Sequence, residues 1–485
     1  MLNHLFQIEC IATDGVHLAS VCLGGQLKIW DNSTGELVNV IDRKSYFIDE
    51  SDKFVNECDD PSDYESASPP STDDVFPKLT NRINTDFSSF KPRTSDDAFD
   101  ARFEFYRVFK FHYSNSKSNE AAAGQSSSSR QRQISRQDSN KSNNSSRKTS
   151  DCGSANSKLS SVWCMDYVDN LIIIGCADGR LELWEATSTK VKCIFEDGNQ
   201  SGVTNVKIVG SRIIAARFVR GSLDLLQLQT FNQGRPVDWN FTCAYRRTHI
   251  RTGSMGSISE RDIKNQNDSE EDLKCFKLLS VKAHQQPITC LDCEGGRIVT
   301  GSQDHTLKVY RVDNGDPVYT LHGHCGPITC LFIDRVCPAT AGSGSQDGML
   351  CVWDLLSGTC MYSIQAHDGC IISITYSASY VISLGIDERL CVWERFQGHI
   401  LNTILVGQVF SNHVLMLAPH LAATGRNGGL IIWDVRNGEC VRNITLGRDP
   451  FVFINQLILL RDAVLCDYGK QLRIVRFPLI THKFD

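Results

Sequence analysis

Histidine, serine and aspartate occur close together in this 485-residue chain, and these are the residue types of a hydrolytic triad. Ser345 and Asp347, for example, follow His324. The combination is not unique, because a starting histidine and an aspartate six residues before a large side chain occur in three consecutive segments. These segments contain His284 with Asp304, His324 with Asp347 and Trp353, and His367 with Asp387 and Trp393. An active site is needed once, so the repetition favours a structural hydrogen-bond network over catalysis.

Cysteine chemistry is the second possibility, because the chain has 20 cysteines and one CxxC pair, Cys290 and Cys293. Most cysteines stand singly within apolar strand patterns, where a thiol behaves as a small buried hydrophobic group. The CxxC pair also lies in an alternating strand pattern and has no second ligand pair. We therefore predict no catalytic residue, no metal, no cofactor and a reducing compartment.

The elements that position these residues are repeated along the chain. Eight times a tight turn precedes a short apolar strand that ends in a large side chain. The terminal residues are Trp30, Trp184, Leu226, Tyr310, Trp353, Trp393, Trp433 and Val475. Apart from two long gaps, these residues recur every 40–43 positions, which is the period of a four-stranded WD-repeat blade.

The predicted fold is all-β, a WD-repeat β-propeller with eight blades, seven being the alternative. Residues 1–42 form blade one, residues 159–231 form blades two and three, and residues 279–485 form blades four to eight. Residues 43–158 and 232–278 are two long, mostly disordered insertions. The second contains no turn-and-strand repeat, so it hides no further blade.

The insertions have the composition of segments that cannot fold alone. The first insertion is acidic at 49–100 and rich in serine and arginine at 114–158. Between these parts, the alternating aromatic residues of Ala98–Tyr113 indicate an added strand or hairpin. A docking peptide is the alternative interpretation of this segment. Basic residues precede Ser135, Ser139 and Ser254, which makes these serines weak matches to the phosphorylation motif of basophilic kinases.

Charge and hydropathy limit the possible partners. The net charge of −6 gives no overall attraction to nucleic acid. No apolar stretch is long enough to span a bilayer, and the N-terminus lacks the pattern of a signal peptide. By itself the chain is expected to be soluble and cytosolic, without direct membrane insertion; the sequence does not indicate an oligomeric state.

Several ordered strings resemble one family, the C-terminal propellers of sterol regulatory element-binding protein cleavage-activating proteins (SCAP). They include IECIATDGVHLAS, NLIIIGCADGRLELWEA, RIIAARFVRGSLDLLQL and GGRIVTGSQDHTLKVYRV, and the resemblance covers all eight repeats. It implies a non-catalytic propeller that binds the C-terminal regulatory domain of the membrane-bound sterol regulatory element-binding protein. The complete escort carries this transcription factor from the endoplasmic reticulum to the Golgi, with its propeller on the cytosolic side of these membranes. The escort's N-terminal membrane region has no counterpart in this sequence.

Basic residues at the turns before the third strands are the candidate partner-binding residues. Five lie at the turns themselves, Arg180, Arg220, Arg389, Arg426 and Lys470, and Arg217 lies just before the turn of Arg220. The resemblance implies a basic patch that binds acidic segments of the transcription factor, which matches the sign of these residues. A generic WD-repeat scaffold or a ubiquitin-ligase substrate receptor is the alternative function.

The closure of the ring is a separate question. Almost nothing precedes the first inner strand, so residues 478–484 are the candidate for completing blade eight. The ring would then be closed by packing between blades alone.

Overall fold

The computed structural model describes the chain as eight antiparallel sheets in succession. It describes residues 2–47, 159–198, 201–232, 235–237, 272–407, 413–426, 428–448, 452, 454, 456–460 and 463–477. The eight-bladed propeller is therefore confirmed. Each blade is a four-stranded antiparallel sheet, except blade three, which has five strands.

The strands are numbered in chain order, and the first, β1 (Leu2–Asn3), belongs to blade eight. Blade one contains β2–β5: Ile8–Thr13, His17–Cys22, Gln26–Asp31 and Leu37–Asp42. Blade two contains β6–β9: Val162–Val168, Leu171–Cys176, Leu181–Glu185 and Val191–Phe195. Blade three contains β10–β14: Val203–Val209, Arg212–Arg217, Ser222–Asn232, Arg235–Val237 and Asp272–Lys282, with a short 3-10 turn at Val219–Gly221. Blade four contains β15–β18: Ile288–Glu294, Arg297–Ser302, Leu307–Arg311 and Pro317–Leu321.

The remaining blades repeat this order. Blade five contains β19–β22: Ile328–Ile333, Thr340–Ser345, Met349–Asp354 and Thr359–Gln365. Blade six contains β23–β26: Ile371–Tyr376, Tyr380–Gly385, Arg389–Glu394 and Ile400–Leu405. Blade seven contains β27–β30: Val414–Ala418, Leu421–Arg426, Gly429–Asp434 and Glu439–Thr445. Blade eight contains β31–β33: Leu457–Leu459, Ala463–Tyr468 and Gln471–Arg476, completed by β1.

Apolar side chains between consecutive blades form the core. The second strand of each blade is almost fully buried, as Leu171–Cys176 is in blade two. One cluster joins blades two and three through residues such as Ile173 and Ile213, and another joins blades six and seven through Ile382 and Trp433. Because each sheet is covered by apolar groups of the next, the blades stabilise one another.

Threonine hydroxyls add polar contacts between the inner strands. Thr289 Oγ1 donates to the carbonyl of Ile328 in the next blade at 2.7 Å, and Thr329 Oγ1 donates to the carbonyl of Ile371 at 2.5 Å. Thr204 makes the equivalent contact to Ile288 at 3.3 Å. Because these threonines occupy equivalent positions in the inner strands, their hydrogen bonds fix how neighbouring inner strands are aligned along the strand direction.

The ring closes differently from the sequence prediction. Leu2 pairs with Leu472 and Asn3 with Gln471, so the N-terminal strand is the outer strand of blade eight. Residues 478–484, predicted to fill this place, lie outside the described residues. The prediction of closure by packing alone was wrong, because a two-residue strand is too short to show an alternating pattern.

Further contacts cross the same seam between blades eight and one. Gln456 accepts a hydrogen bond from the Ile11 amide at 2.9 Å and donates to the Glu9 carbonyl at 3.0 Å. Leu2, Leu18, Trp30 and Leu465 share one apolar cluster at this seam. Strand sharing, hydrogen bonds and apolar contacts therefore all hold the ring together.

The second insertion also ends differently from its predicted range of 232–278. Asp272–Lys282 is a strand that pairs with β12 along almost its whole length. Lysines separate its apolar residues, which obscured the strand pattern in the sequence. Ala98–Tyr113, Ser135, Ser139 and Ser254 lie outside the described residues.

Two compact units are distinguished within the chain. One contains residues 1–44 and 160–485, and the other contains residues 45–159. Within the described ranges, no helix has the length and apolar character needed to cross a membrane.

Candidate functional site

The repeated histidines and aspartates form hydrogen-bond networks inside single blades. In blade six, His367 Nδ1 lies 2.9 Å from Asp387 Oδ1 and His367 Nε2 lies 2.8 Å from Ser383 Oγ. Trp393 Nε1 donates to the same serine at 3.0 Å. In blade four, His284 contacts Asp304 and Thr300 in the same way. Each network links the histidine of its blade to an aspartate in the turn and to a hydroxyl group of the second strand, which suits a structural role.

Blade five contains a looser version of this network. His324 Nε2 lies 2.7 Å from Ser343 Oγ, to which Trp353 Nε1 donates at 2.8 Å. The Asp347 carboxylate is 4.0 Å from His324 Nδ1, and Cys351 Sγ lies 3.9 Å from the same nitrogen. Burial lowers the pKa of His324 to about 4, against the opposing effect of the Asp347 charge. Ser345, the serine of the hypothetical triad, instead donates to the Gly326 carbonyl at 2.9 Å.

This buried neutral histidine predicts a pH dependence of stability. The unfolded chain binds a proton at His324 near pH 6.5, whereas the folded chain does so only near pH 4. The contribution of neutral His324 to the free energy of unfolding is therefore fully present above pH 6.5 and is lost as the pH falls towards 4. The loss is about 2 kcal/mol at pH 5 for this histidine alone. Burial also lowers the pKa of His284 and His367, in the same direction. Urea unfolding of His324→Gln should show a shallower loss between pH 7.5 and pH 5, whereas exposed His322→Gln should keep the wild-type slope. Equal slopes for all three proteins would contradict this origin.

A fourth histidine network, in blade one, was missed from the sequence. His4 Nε2 lies 2.7 Å from Ser20 Oγ, and Trp30 Nε1 donates to this oxygen at 2.9 Å. Burial lowers the pKa of His4 to about 4, with a smaller contribution from the Lys28 charge. The signal was present, since His4 precedes Trp30 by 26 residues, as His367 precedes Trp393.

Blade two replaces the histidine network with a buried ion pair. Arg43 Nε donates to Glu182 Oε2 at 2.7 Å and Arg43 Nη2 donates to Glu182 Oε1 at 2.8 Å. Both side chains are almost fully buried, and Trp184 Nε1 also donates to Glu182 at 3.1 Å. Burial acts to raise the pKa of Glu182, but the Arg43 charge and hydrogen bonds outweigh it and hold the pKa below its usual value. Arg43 thus connects the end of blade one to blade two, across the first insertion.

Blade three has a second buried ion pair. Arg217 Nε donates to Asp224 Oδ2 at 2.7 Å, and Arg217 also donates to the carbonyl of Gly179 in the turn of blade two. Lys277 Nζ lies 2.8 Å from Asp197 and 3.5 Å from Asp224. Arg217 therefore binds groups of its own blade and the preceding one.

The strand order places all the candidate basic residues on one face. In each blade, the turn between the second and third strands and the connection to the next blade lie at the same end of the sheet. We call this side of the propeller the turn face. Arg180, Arg220, Arg389, Arg426 and Lys470 lie at these turns, with Arg217 at the end of the strand before one of them.

Two of the six candidates are unavailable for binding, which corrects the sequence prediction. Arg217 is 2% exposed and holds the ion pair of blade three. Arg180 is 6% exposed, and its Nε lies 2.8 Å from Asp178 Oδ2. Asp178 lies in the same turn as Arg180, and Asp224 lies in the third strand of the blade that contains Arg217. The sequence does not show that these carboxylates hold the two arginines in the interior while other arginines at the turns stay exposed.

The other four candidates differ in their accessibility. Arg220 and Lys470 are exposed, and no carboxylate of the described residues forms an ion pair with either. Arg389 is partly neutralised by Asp368, whose carboxylate lies 3.1 Å away. Arg426 is partly exposed. Arg220 and Lys470 are therefore the strongest candidates for contact with an anionic partner.

Exposed apolar residues lie beside Lys470 at the ring closure. We define the seam patch as Leu5, Phe6, Leu23 and Lys470. The His4 amide donates to the Lys470 carbonyl at 2.8 Å, and the Leu23 amide donates to the Gln7 carbonyl at 3.0 Å. A Cβ on Gly24 would lie 2.4 Å from the Phe6 ring, so only glycine leaves room for this ring at the turn. Leu5 is 68% exposed and Phe6 is 52% exposed. Of the seam patch, only Lys470 was predicted from the sequence. Leu5 and Phe6 were missed because they carry no charge and precede the first repeat.

The cysteine pair is part of the β-structure. Cys290 and Cys293 lie in β15, and burial raises the pKa of Cys290 to about 12. Over the described part of the chain, no group of three or more histidine, cysteine, aspartate or glutamate side chains is placed to hold a metal ion.

Comparisons with known proteins agree with the propeller fold. The family model of the SCAP β-propeller matches residues 1–476. The sterol regulatory element-binding protein cleavage-activating protein of Xenopus laevis is 29% identical over 540 residues, an alignment that covers 100% of this chain and 40% of the relative. The chain thus spans about 40% of that relative's length. Mitochondrial division protein 1 of Kluyveromyces lactis is 30% identical over 118 residues, covering 21% of this chain and 16% of that protein.

A solved structure shows a similar fold. The crystal structure of the computationally designed Ika8 protein covers 98% of both chains with a TM-score of 0.57 and 15% sequence identity. At this identity the likeness concerns the fold alone.

Proposed function

The chain belongs to the SCAP β-propeller family, and from this premise we propose that it binds the C-terminal regulatory domain of the membrane-bound sterol regulatory element-binding protein. The name of the Xenopus relative, which refers to cleavage activation of that factor, supports this choice of partner. The propeller would act without catalysis, as the cytosolic binding part of a longer escort at endoplasmic-reticulum and Golgi membranes. In that setting it would hold the factor during transport to the Golgi for proteolytic activation.

The observation that carries the proposal is the combination of apolar and basic groups on the turn face. Phe6 and Leu5 offer apolar contact area, and aromatic anchors supply much of the energy of protein interfaces. Lys470 lies within the same seam patch, and Arg220 adds a second exposed positive charge on this face. We infer that the partner presents an acidic segment with an apolar side chain that packs against Phe6.

Calorimetric titration of the full chain with the partner's C-terminal regulatory domain tests the function itself. Saturable binding with a defined stoichiometry is expected. The absence of measurable heat and of complex formation at low salt would overturn the proposed partner.

Charge reversal on the turn face should weaken this binding. The double variant Arg220→Glu/Lys470→Glu is expected to bind about tenfold or more weakly at low salt, because the face loses electrostatic attraction for an acidic segment. Its affinity should also depend less on salt. Exposed Arg335 lies between the first two strands of blade five, on the opposite face, so Arg335→Glu is the matched control. Wild-type affinity in the double variant would exclude these two residues from the interface.

A further inference from the structure

The outer strand of blade six, β26, is an edge without charged residues. Its sequence is Ile-Leu-Asn-Thr-Ile-Leu, and Ile400, Leu401 and Leu405 are exposed, Leu405 to 74%. It pairs with β25 on one side, and no strand of the described residues pairs with its other side. The outward backbone groups of such an edge are available to pair with another strand.

The other outer strands are protected in ways that β26 is not. β5 exposes valines but ends in exposed Asp42. β14 carries Lys274, Lys277 and Lys282, and β30 carries Glu439 and Arg442. β22 is uncharged but exposes a single large apolar side chain, Met361. β9 carries Lys192, β1 has only two residues, and β18 is uncharged but begins with a proline and exposes no large apolar side chain. Charge, short length and proline on an edge all oppose pairing between sheets, so among the outer strands that the structure describes β26 is the one best suited to it.

The pattern of side chains along β26 is complementary to itself. Alternation places Leu401, Thr403 and Leu405 on one face of the strand. The other face is directed towards blade seven, where Asn402 Nδ2 donates to the Val435 carbonyl at 3.5 Å. When two antiparallel copies of β26 meet about a twofold axis at Thr403, Leu401 of each copy lies opposite Leu405 of the other. Thr403 of one chain then lies opposite Thr403 of the other. Threonine pairs and apolar pairs on neighbouring strands both stabilise sheets.

We propose that two copies of this chain associate through β26, antiparallel and centred on Thr403. The contact joins two four-stranded blades into one continuous sheet. A second copy of the chain is the occupant that fits this edge. In one antiparallel register, leucine of each copy faces leucine of the other and threonine faces threonine. Phe396, 64% exposed in the preceding turn, extends the apolar area of the same rim. The contact is on the rim and does not rest on the proposed partner, so the two proposals fail separately.

Sedimentation equilibrium of the full chain tests the association. The wild-type chain should approach the mass of a dimer at tens of micromolar. Thr403→Lys should weaken dimerisation at least tenfold, because it places two lysines opposite each other at the axis. Val441→Lys is the matched control, since Val441 is an exposed apolar residue on the outer strand of blade seven. It should leave the dimer intact.

Two further variants separate loss of contact from misfolding. Thr403→Glu alone should be monomeric, and its equimolar mixture with Thr403→Lys should restore the dimer through opposite charges. Under mild oxidation, Thr403→Cys should form a cross-linked dimer above the wild-type background, whereas Leu401→Cys should do so only when mixed with Leu405→Cys. A wild-type chain that stays monomeric throughout, a dimer insensitive to Thr403→Lys, or an edge occupied only by an extended segment of another protein would overturn the proposal.

Discussion

Arg43→Ala is expected to lower the free energy of unfolding by about 3–5 kcal/mol, because it leaves the carboxylate of Glu182 buried without its countercharge. The two side chains share two hydrogen bonds of 2.7 and 2.8 Å, and both are almost fully removed from water. Trp184 Nε1 and the Cys176 thiol would remain as donors to the carboxylate, and two neutral donors cannot replace a guanidinium. Urea unfolding at pH 7.5 measures the effect.

The double variant Arg43→Met/Glu182→Leu provides the decisive comparison. Removing both charges avoids the penalty of an unpaired buried ion, so this variant should recover most of the stability that Arg43→Ala loses. Exposed Arg335→Ala is the control for loss of an arginine and should stay within about 0.5 kcal/mol of wild type. An Arg43→Ala protein as stable as wild type, or a double variant as unstable as Arg43→Ala, would refute this assignment.

Leu2→Asp is expected to destabilise the chain by about 3 kcal/mol or more, because it puts a charge into the apolar cluster that closes the ring. Leu2 is 7% exposed and pairs with Leu472, so the substitution affects both the strand and the packing between blades eight and one. Leu5→Asp, three residues further along, is the matched control. Its side chain is exposed, so the change should stay within about 0.5 kcal/mol.

Thermal unfolding measures the stability of the two leucine variants, and hydrogen exchange measures the protection of their backbone amides. Faster exchange in β33 is expected for Leu2→Asp, because the outer strand that covers Gln471 and Leu472 is lost. Equal thermal midpoints for Leu2→Asp and Leu5→Asp would contradict closure of the ring by the N-terminal strand.

The sequence was sufficient to predict the eight blades, because each copy carries its own turn and apolar strand. The networks at His284, His324 and His367 were visible for the same reason, as each lies within one repeat. Arg43 and Glu182 could not be paired from sequence, since they are 139 positions apart with the first insertion between them. Contacts of this kind depend on how successive blades are placed.

The candidate site was predicted only in part. The turns with basic residues were identified correctly as one face, since the repeat fixes which end of the sheet they occupy. Whether a given arginine is buried depends on its neighbours, and Arg217 proved to be an internal ion-pair partner. Phe6 was overlooked because its exposure arises from the short N-terminal strand, which the sequence did not indicate.

Hydrogen exchange of the chain with and without the partner's C-terminal regulatory domain tests whether the partner binds at the turn face. We expect slower exchange on binding in segments 4–7, 218–222 and 467–471, all on the turn face. The turns at 334–339 and 355–358 on the opposite face should not change. Protection confined to the opposite face, or no protection at saturating partner, would contradict binding at the seam patch and Arg220.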